Sequence, residues 1–270
     1  MVDRTGALFD ELLRVMGRLR GEAGCPWDRE QTRNSLKPFL VEETYEVLEA
    51  IEERTAPALR EELGDLLFQV VFHAQIAQEL DEFSMADVLR QLIDKMVRRH
   101  PHVFGDRAVR NASEALAQWE AIKQEEGTQD GRSRSVLEGV PRRLPALLRA
   151  QRTQAKAARV GFDWSDPTAA WEKVKEEFHE VEAAVSHGDP SKTAEELGDL
   201  LFALVNVTRL SGGDAEDFLN QATEKFRRRF QEMELLAAAE NRPLRDFSLD
   251  ELNQFWEAVK AHDETGTERP

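Results

Sequence analysis

"EELGDLLF" occupies residues 61–68, and the same eight letters return at residues 195–202. Each copy sets two acidic residues three positions apart against an apolar run with helical spacing. Just upstream, "VEETYEVLEA" at 41–50 answers "KEEFHEVEAA" at 175–184. Glu43 and Glu177 are separated by 177 − 43 = 134 positions, and the two octapeptides by 195 − 61 = 134. An unchanged offset means that two helices and their connection keep the same length in both halves. Downstream, "DKMVRRH" (94–100) answers "EKFRRRF" (224–230), and "WEAIK" (119–123) answers "WEAVK" (256–260). "CPWD" (25–28) has its counterpart in "FDWSD" (162–166). Matching blocks in one order, with small insertions only between them, define a duplicated domain.

The halves meet in "GTQDGRSRSVLEGVPRRLP" (127–145), rich in Gly, Ser, Arg and Pro and without helical periodicity. The expected organisation is an N-terminal repeat over 1–126, a linker over 127–142 and a C-terminal repeat over 143–270. Apolar periodicity predicts helices near 5–21, 34–54, 57–80, 84–99 and 112–125. It predicts them again near 143–159, 167–186, 191–211, 214–240 and 248–262. Ser84, Asp166 and Ser248 suit helix caps, and Pro57 and Pro167 suit first turns. No stretch sustains strand alternation, so the fold class is all-α, two bundle-like repeats in tandem.

Composition narrows the function. A net charge of −16 over 270 residues opposes a general nucleic-acid or anionic-membrane surface, so neither is an expected partner. It does not oppose an anionic small substrate, because a bound divalent cation inverts the local sign. Cys25 is the single cysteine, which fits a reducing compartment; without an evident histidine partner it reads as structural. The N-terminus shows no signal-peptide core, and no apolar run is long enough to span a bilayer. The expected location is the cytoplasm.

At about 100° per residue, Glu43 is bracketed by Leu36, Leu40 and Val47 on one side and Phe39 and Ala50 on the other. Glu46 sits at the border of that face. On the next helix Glu62 lies among Leu59, Leu66 and Ile76, with Asp65 at the border, and "DLLFQVVFHAQIA" is apolar nearly all round, as for a helix buried on most sides. The spacings repeat for Glu177, Glu180, Glu196 and Asp199. Each half therefore directs a Glu-x-x-Glu pair and a Glu-x-x-Asp pair inward from two consecutive antiparallel helices. Carboxylates buried together must be paired, protonated or bound to a cation. One such pair alone reads as a solvated face; two inward pairs repeated at one offset favour a hard-metal site for Mg²⁺, with Mn²⁺ as substitute. A di-iron bundle would supply Glu-x-x-His, and neither pair contains histidine. Basic residues able to meet phosphates follow in Lys225, Arg228, Arg229 and Lys260.

"GCPWDREQT", "EETYEV", "EELGDLLFQVVFHAQIA", "RRHPHVFGD" and "VGFDW" together resemble the MazG family of tandem-domain nucleoside triphosphate pyrophosphohydrolases, from about residue 8 to 262. The resemblance implies a Mg²⁺-dependent homodimer that hydrolyses NTPs or dNTPs to the monophosphate and pyrophosphate, with water attacking the α-phosphorus. It implies that the C-terminal half carries the activity, with Glu177, Glu180, Glu196 and Asp199 as metal ligands. Lys173, Lys192, Lys225, Arg229, Trp256 and Lys260 match nucleotide-contacting positions, with Arg228 in the same block. The residues favour the same half: Lys173 and Lys192 correspond to Phe39 and Ala58, leaving Lys37 as the nearest replacement for one of them. Gln69 and His73 stand where the other half has Ala203 and Val207, and His73 reads as a satisfied core histidine. Glu43, Glu46, Glu62 and Asp65 form a second candidate metal site in a structural or weakly active repeat. The alternatives are a non-enzymatic acidic helical dimer that binds a regulatory partner, and a narrower enzyme cleaning up dUTP or damaged nucleotides.

Overall fold

The computed structural model describes residues 2–53, 55–128, 135–240 and 242–265. The chain divides into two units, residues 1–132 and 133–270. Among the described residues every regular element is helical. The first unit contains α1 (Val2–Arg20), α2 (Pro26–Glu30), α3 (Lys37–Glu53), α4 (Ala56–Glu79), α5 (Met85–Arg99), α6 (Pro101–Phe104) and α7 (Ala112–Thr128). The second contains α8 (Ala146–Ala158), α9 (Pro167–His187), α10 (Pro190–Leu210), α11 (Ala215–Ala239), a 3₁₀ turn (Leu244–Asp246) and α12 (Leu249–Thr265). The expected all-α class is what is found. The short helices α2 and α6 lie in stretches for which periodicity gave no helix. Residues 129–134 of the expected linker lie outside the described residues.

Helix starts follow local chemistry. Ser84 and Asp87 close a reciprocal capping box on α5. Ser248 and Glu251 do the same on α12, with Ser248 N donating to Glu251 Oε2 at 2.7 Å and Glu251 N to Ser248 Oγ at 3.3 Å. Asp166 Oδ1 accepts from Ala169 N at 2.9 Å at the start of α9. In "GCPWD", the chain turns so tightly after α1 that a Cβ on Gly24 would collide with the Leu19 carbonyl. Only glycine fits there, and Cys25 N then donates to Leu19 O at 2.8 Å.

In the first unit α1 and α3 pack on α4. Met16, Leu36, Val71, Phe72 and Ile76 form the buried cluster. Arg20 ties α4 and α2 together: its guanidinium chelates Glu79 (2.9 and 2.7 Å) and donates to Asp28 O. Arg20 accordingly holds the Glu79 carboxyl below its usual range. In the second unit α10 packs on α9 and α8, and α11 on α12 and α8. Small buried side chains, Ala170, Ala184 and Ala203 among them, let these helices approach closely.

One expectation is corrected. The acidic helix α4 is buried only along its C-terminal part, at Gln69, Val71, Phe72, Ala74, Ile76 and Ala77. Leu63 is 49% exposed and Leu67 39%. On α10, Leu201 and Phe202 are likewise exposed, as is Phe178 on α9. Apolar periodicity marks a face that avoids water; it does not say that this chain alone supplies the cover.

Candidate active site

The α9–α10 hairpin is set by three consecutive residues. Gly188 adopts φ 67°, the left-handed conformation that ends α9. Asp189 then caps α10, its Oδ1 accepting from Ser191 N at 3.0 Å and Lys192 N at 3.1 Å, and Pro190 opens the helix. The tight turn lays α9 antiparallel against α10 and brings the two acidic pairs together.

Each pair splits by depth. Glu177 is 5% exposed and Glu196 4%, whereas Glu180 and Asp199 are exposed. Both buried carboxylates have a counter-ion one helical turn upstream. Lys173 Nζ lies 2.8 Å from Glu177 Oε1, and Lys192 Nζ lies 2.6 Å from Glu196 Oε1. The same lysines reach Glu176 at 2.8 Å and Glu195 at 3.2 Å, so these outer glutamates share the counter-ions from the solvent side. The carboxylates beside them hold both ammonium groups above the usual lysine range. Glu180 is also raised: partial desolvation, then the charges of Glu196 and Glu177, increase its proton affinity.

Oxygens of Glu177, Glu196 and Asp199 all lie within 4.8 Å of one another. Glu177 Oε2 is buried and has no hydrogen-bond partner. A buried anionic oxygen that nothing donates to, among converging oxygen-only donors, fits a hard divalent cation. Glu180 lines the same cavity without joining that three-oxygen group. The cavity, about 700 Å³, is walled by α9, α10 and their connection, and both lysines face it.

The remaining predicted contacts stand elsewhere in the unit. Lys225, Arg228 and Arg229 lie on α11, and Trp256 and Lys260 on α12, outside this cavity wall. Arg228 and Arg229 both grip Asp263, at 3.0 and 2.8 Å. Lys260 pairs with Glu257 at 3.0 Å, and the Trp256 ring packs 5.1 Å from Phe226. Lys225 is exposed. Conversely, sequence reasoning missed Ala183, Ala184, His187 and Asp189, which line the cavity towards the hairpin turn. A signal existed: Ala184 is seven residues beyond Glu177 and so shares its face.

The first unit repeats the theme with different neighbours. Oxygens of Glu43, Glu62 and Asp65 also lie within 4.8 Å of one another, while Glu46 is exposed. Burial raises the Glu43 carboxyl above its usual range, against the hydrogen bond from Gln69, and Asp65 and Glu46 add to the rise. Gln69 is 6% exposed; its Nε2 donates to Glu43 Oε1 at 3.4 Å, and its Oε1 has no partner. His73 is a core histidine but not a satisfied one, because its Nε2 is buried without a partner. Burial, and then the charge of Arg33, lower the proton affinity of its ring below the usual histidine range. Lys37, the nearest replacement for one of the missing lysines, is exposed and donates to Asn34 Oδ1 at 2.6 Å. The α11–α12 cluster has a counterpart too. Arg98 and Arg99 grip Glu126 at 2.6 and 2.5 Å, and Arg99 and Lys123 lie over the Trp119 ring.

Two all-helical units, each holding a cluster of converging carboxylates on a helical hairpin, define the class: a duplicated all-α domain with one acidic cluster per copy. The model of the MazG nucleotide pyrophosphohydrolase domain matches the chain twice, over residues 31–104 and 166–233. The nucleoside triphosphate pyrophosphohydrolase/pyrophosphatase MazG of Thermotoga maritima is 46% identical over 96% of this chain and 98% of its own length. The nucleoside triphosphate pyrophosphohydrolase of Escherichia coli K12 is 49% identical over 93% of this chain and 97% of its own. The uncharacterised protein YabN of Bacillus subtilis is 45% identical over 93% of this chain, which corresponds to 51% of that longer protein. The chain belongs to the MazG nucleotide pyrophosphohydrolase family, a family of hydrolases.

Proposed function

We propose that the C-terminal unit hydrolyses nucleoside triphosphates, ribo or deoxy, to the monophosphate and pyrophosphate with Mg²⁺, or Mn²⁺ in its place. The observation that carries this reading is the cluster of Glu177, Glu196 and Asp199, with a buried unsatisfied oxygen, in a cavity that also presents Lys173 and Lys192. Glu177, Glu180, Glu196 and Asp199 would hold the cation, which supplies Lewis acidity towards phosphate oxygens and water. Lys173 and Lys192 would exchange their carboxylate partners for phosphate oxygens, keeping charge balanced as the anionic substrate enters. Water attacks the α-phosphorus and gives up a proton to solvent, the α–β bridging P–O bond breaks, and its electron pair leaves on pyrophosphate.

The names of the two full-length relatives support the substrate class. The first unit keeps the acids but has Phe39 and Ala58 in place of the lysines, so its role is structural or weakly active. The exposed apolar side chains of the hairpins, Phe178 and Leu201 among them, offer a face for a second copy. In such a dimer Lys225, Arg228, Arg229, Trp256 and Lys260 would meet nucleotide, the arginines after releasing Asp263. The single cysteine fits a cytoplasmic enzyme. No helix among the described residues is long and apolar enough to cross a membrane.

The test is pyrophosphate release from a panel of NTPs and dNTPs, comparing Glu196→Ala with Glu62→Ala. Glu196→Ala should lower turnover by roughly a hundredfold or more, and Glu62→Ala should leave most of it. The opposite pattern would move the active site to the first unit.

A further inference from the structure

We infer that His100 and His102 form a metal site of a second kind in the first unit, a two-histidine site for a transition-metal cation of the zinc class, with water completing the coordination. The site shares no residue with either acidic cluster.

The pair is peculiar to the first unit. "DKMVRRH" aligns with "EKFRRRF" at 230 − 100 = 130, so Phe230 stands at the position of His100 and Glu232 at that of His102. In the second unit α11 runs through this stretch without a break. In the first unit α5 ends at His100, and Pro101, which cannot continue the hydrogen-bond ladder, opens the short helix α6. A domain architecture common to both units accounts for neither the break nor the histidines.

Both rings line one cavity of about 430 Å³, together with Ala115, Leu116 and Trp119 of α7. Each ring is anchored through Nδ1. His100 Nδ1 lies 2.7 Å from Met96 O, and His102 Nδ1 lies 3.0 Å from Gln118 Oε1. Both partners are accepting oxygens, so in the neutral rings Nδ1 carries the proton and Nε2 keeps its lone pair. That is how an imidazole binds a metal, with its other nitrogen donating to a neighbouring oxygen. Two imidazoles held through Nε2 about 2 Å from one tetrahedral ion have ring centroids about 5 Å apart. These rings are 5.6 Å apart.

The donors select the ion. No carboxylate lines this cavity, so it offers nothing to Mg²⁺, which takes oxygen ligands, whereas imidazole nitrogen suits ions of the zinc class. Arg98 and Arg99 are held by Glu126 at 2.6 and 2.5 Å, and neither lines the cavity.

The test is calorimetric titration of the full chain with Zn²⁺ in excess Mg²⁺, which saturates oxygen-only sites. Wild type, His100→Ala, His102→Ala, Gln118→Leu and Gln118→Glu are compared, with circular dichroism to verify that each is folded. The expected result is one Zn²⁺ equivalent that either histidine variant removes. Gln118→Leu takes away the acceptor that orients His102 and should weaken binding by about tenfold or more, while Gln118→Glu still accepts and should retain it. The site is wrong if wild type binds no Zn²⁺ under these conditions, or if both histidine variants keep the wild-type stoichiometry and affinity. Should the histidine variants unfold, the Gln118 pair decides, and equal Zn²⁺ affinities in Gln118→Leu and Gln118→Glu would overturn the site.

Discussion

At the residue scale, both buried carboxylates of the candidate site, Glu177 and Glu196, are given a specific lysine partner. Glu126, outside the candidate site, is given arginines. Hydrogen bonds from Arg99, then Arg98, lower its carboxyl from 4.5 to about 2. A carboxylate lowered in the folded state contributes stability above its unfolded value, and that contribution is lost as pH falls through the folded value. The Arg98–Glu126–Arg99 contribution is therefore complete above about pH 4.5 and disappears towards pH 2. Glu126→Gln should be less stable than wild type at neutral pH, and the gap should shrink across that window in thermal melts. A gap that stays constant down to pH 2 would contradict the assignment. This acceptor was not foreseen from sequence, because residues 99 and 126 are joined by packing of α5 on α7 and not by spacing within one helix.

At the scale of elements, the hairpin that carries the site depends on Gly188. Alanine there meets no neighbouring atom within 4 Å, so the cost of substitution is conformational. Gly188→Ala should destabilise the protein by about 1 kcal/mol, from the left-handed backbone alone. Gly188→Asn should cost less, since asparagine tolerates that region. Denaturant titration of both variants checks this, and equal losses would argue against the left-handed turn. Helices and their caps were legible beforehand because Ser84, Asp166 and Ser248 act within three residues of themselves. The acids and lysines of α9 and α10 were legible for the same reason, each pair being three or four residues apart on one helix. The α11–α12 residues were not: nothing in the period of "KFRRRF" tells that Arg228 and Arg229 turn to Asp263 or that they stand outside the cavity wall.

At the scale of the whole molecule, the exposed apolar faces set the expectation. Phe178 is 51% exposed and Leu201 54%, on the hairpin that carries the candidate active site. A second copy covering this face would bury them, and the proposed enzyme is a homodimer. Sedimentation velocity should give a dimer for the wild type and a monomer, or a concentration-dependent mixture, for Leu201→Glu. A wild-type monomer at tens of micromolar would remove the dimer from the model of function. How the acidic cluster arose twice is plain in the sequence, but what covers each copy lies beyond any single chain's periodicity.

The position of the lysines has a consequence for how the site comes into being. Glu177, Glu180, Glu196 and Asp199 all fall within one short hairpin, so the loop closed to unite them is small and its entropic cost low. Such local contacts form early when a chain folds. Their mutual repulsion would oppose that step, yet Lys173 and Lys192 sit one turn upstream of the buried glutamates on the same helices. Neutralisation is therefore available to each nascent helix before the two meet. The chain carries its counter-ions with it, and the acidic cluster can assemble without waiting for metal.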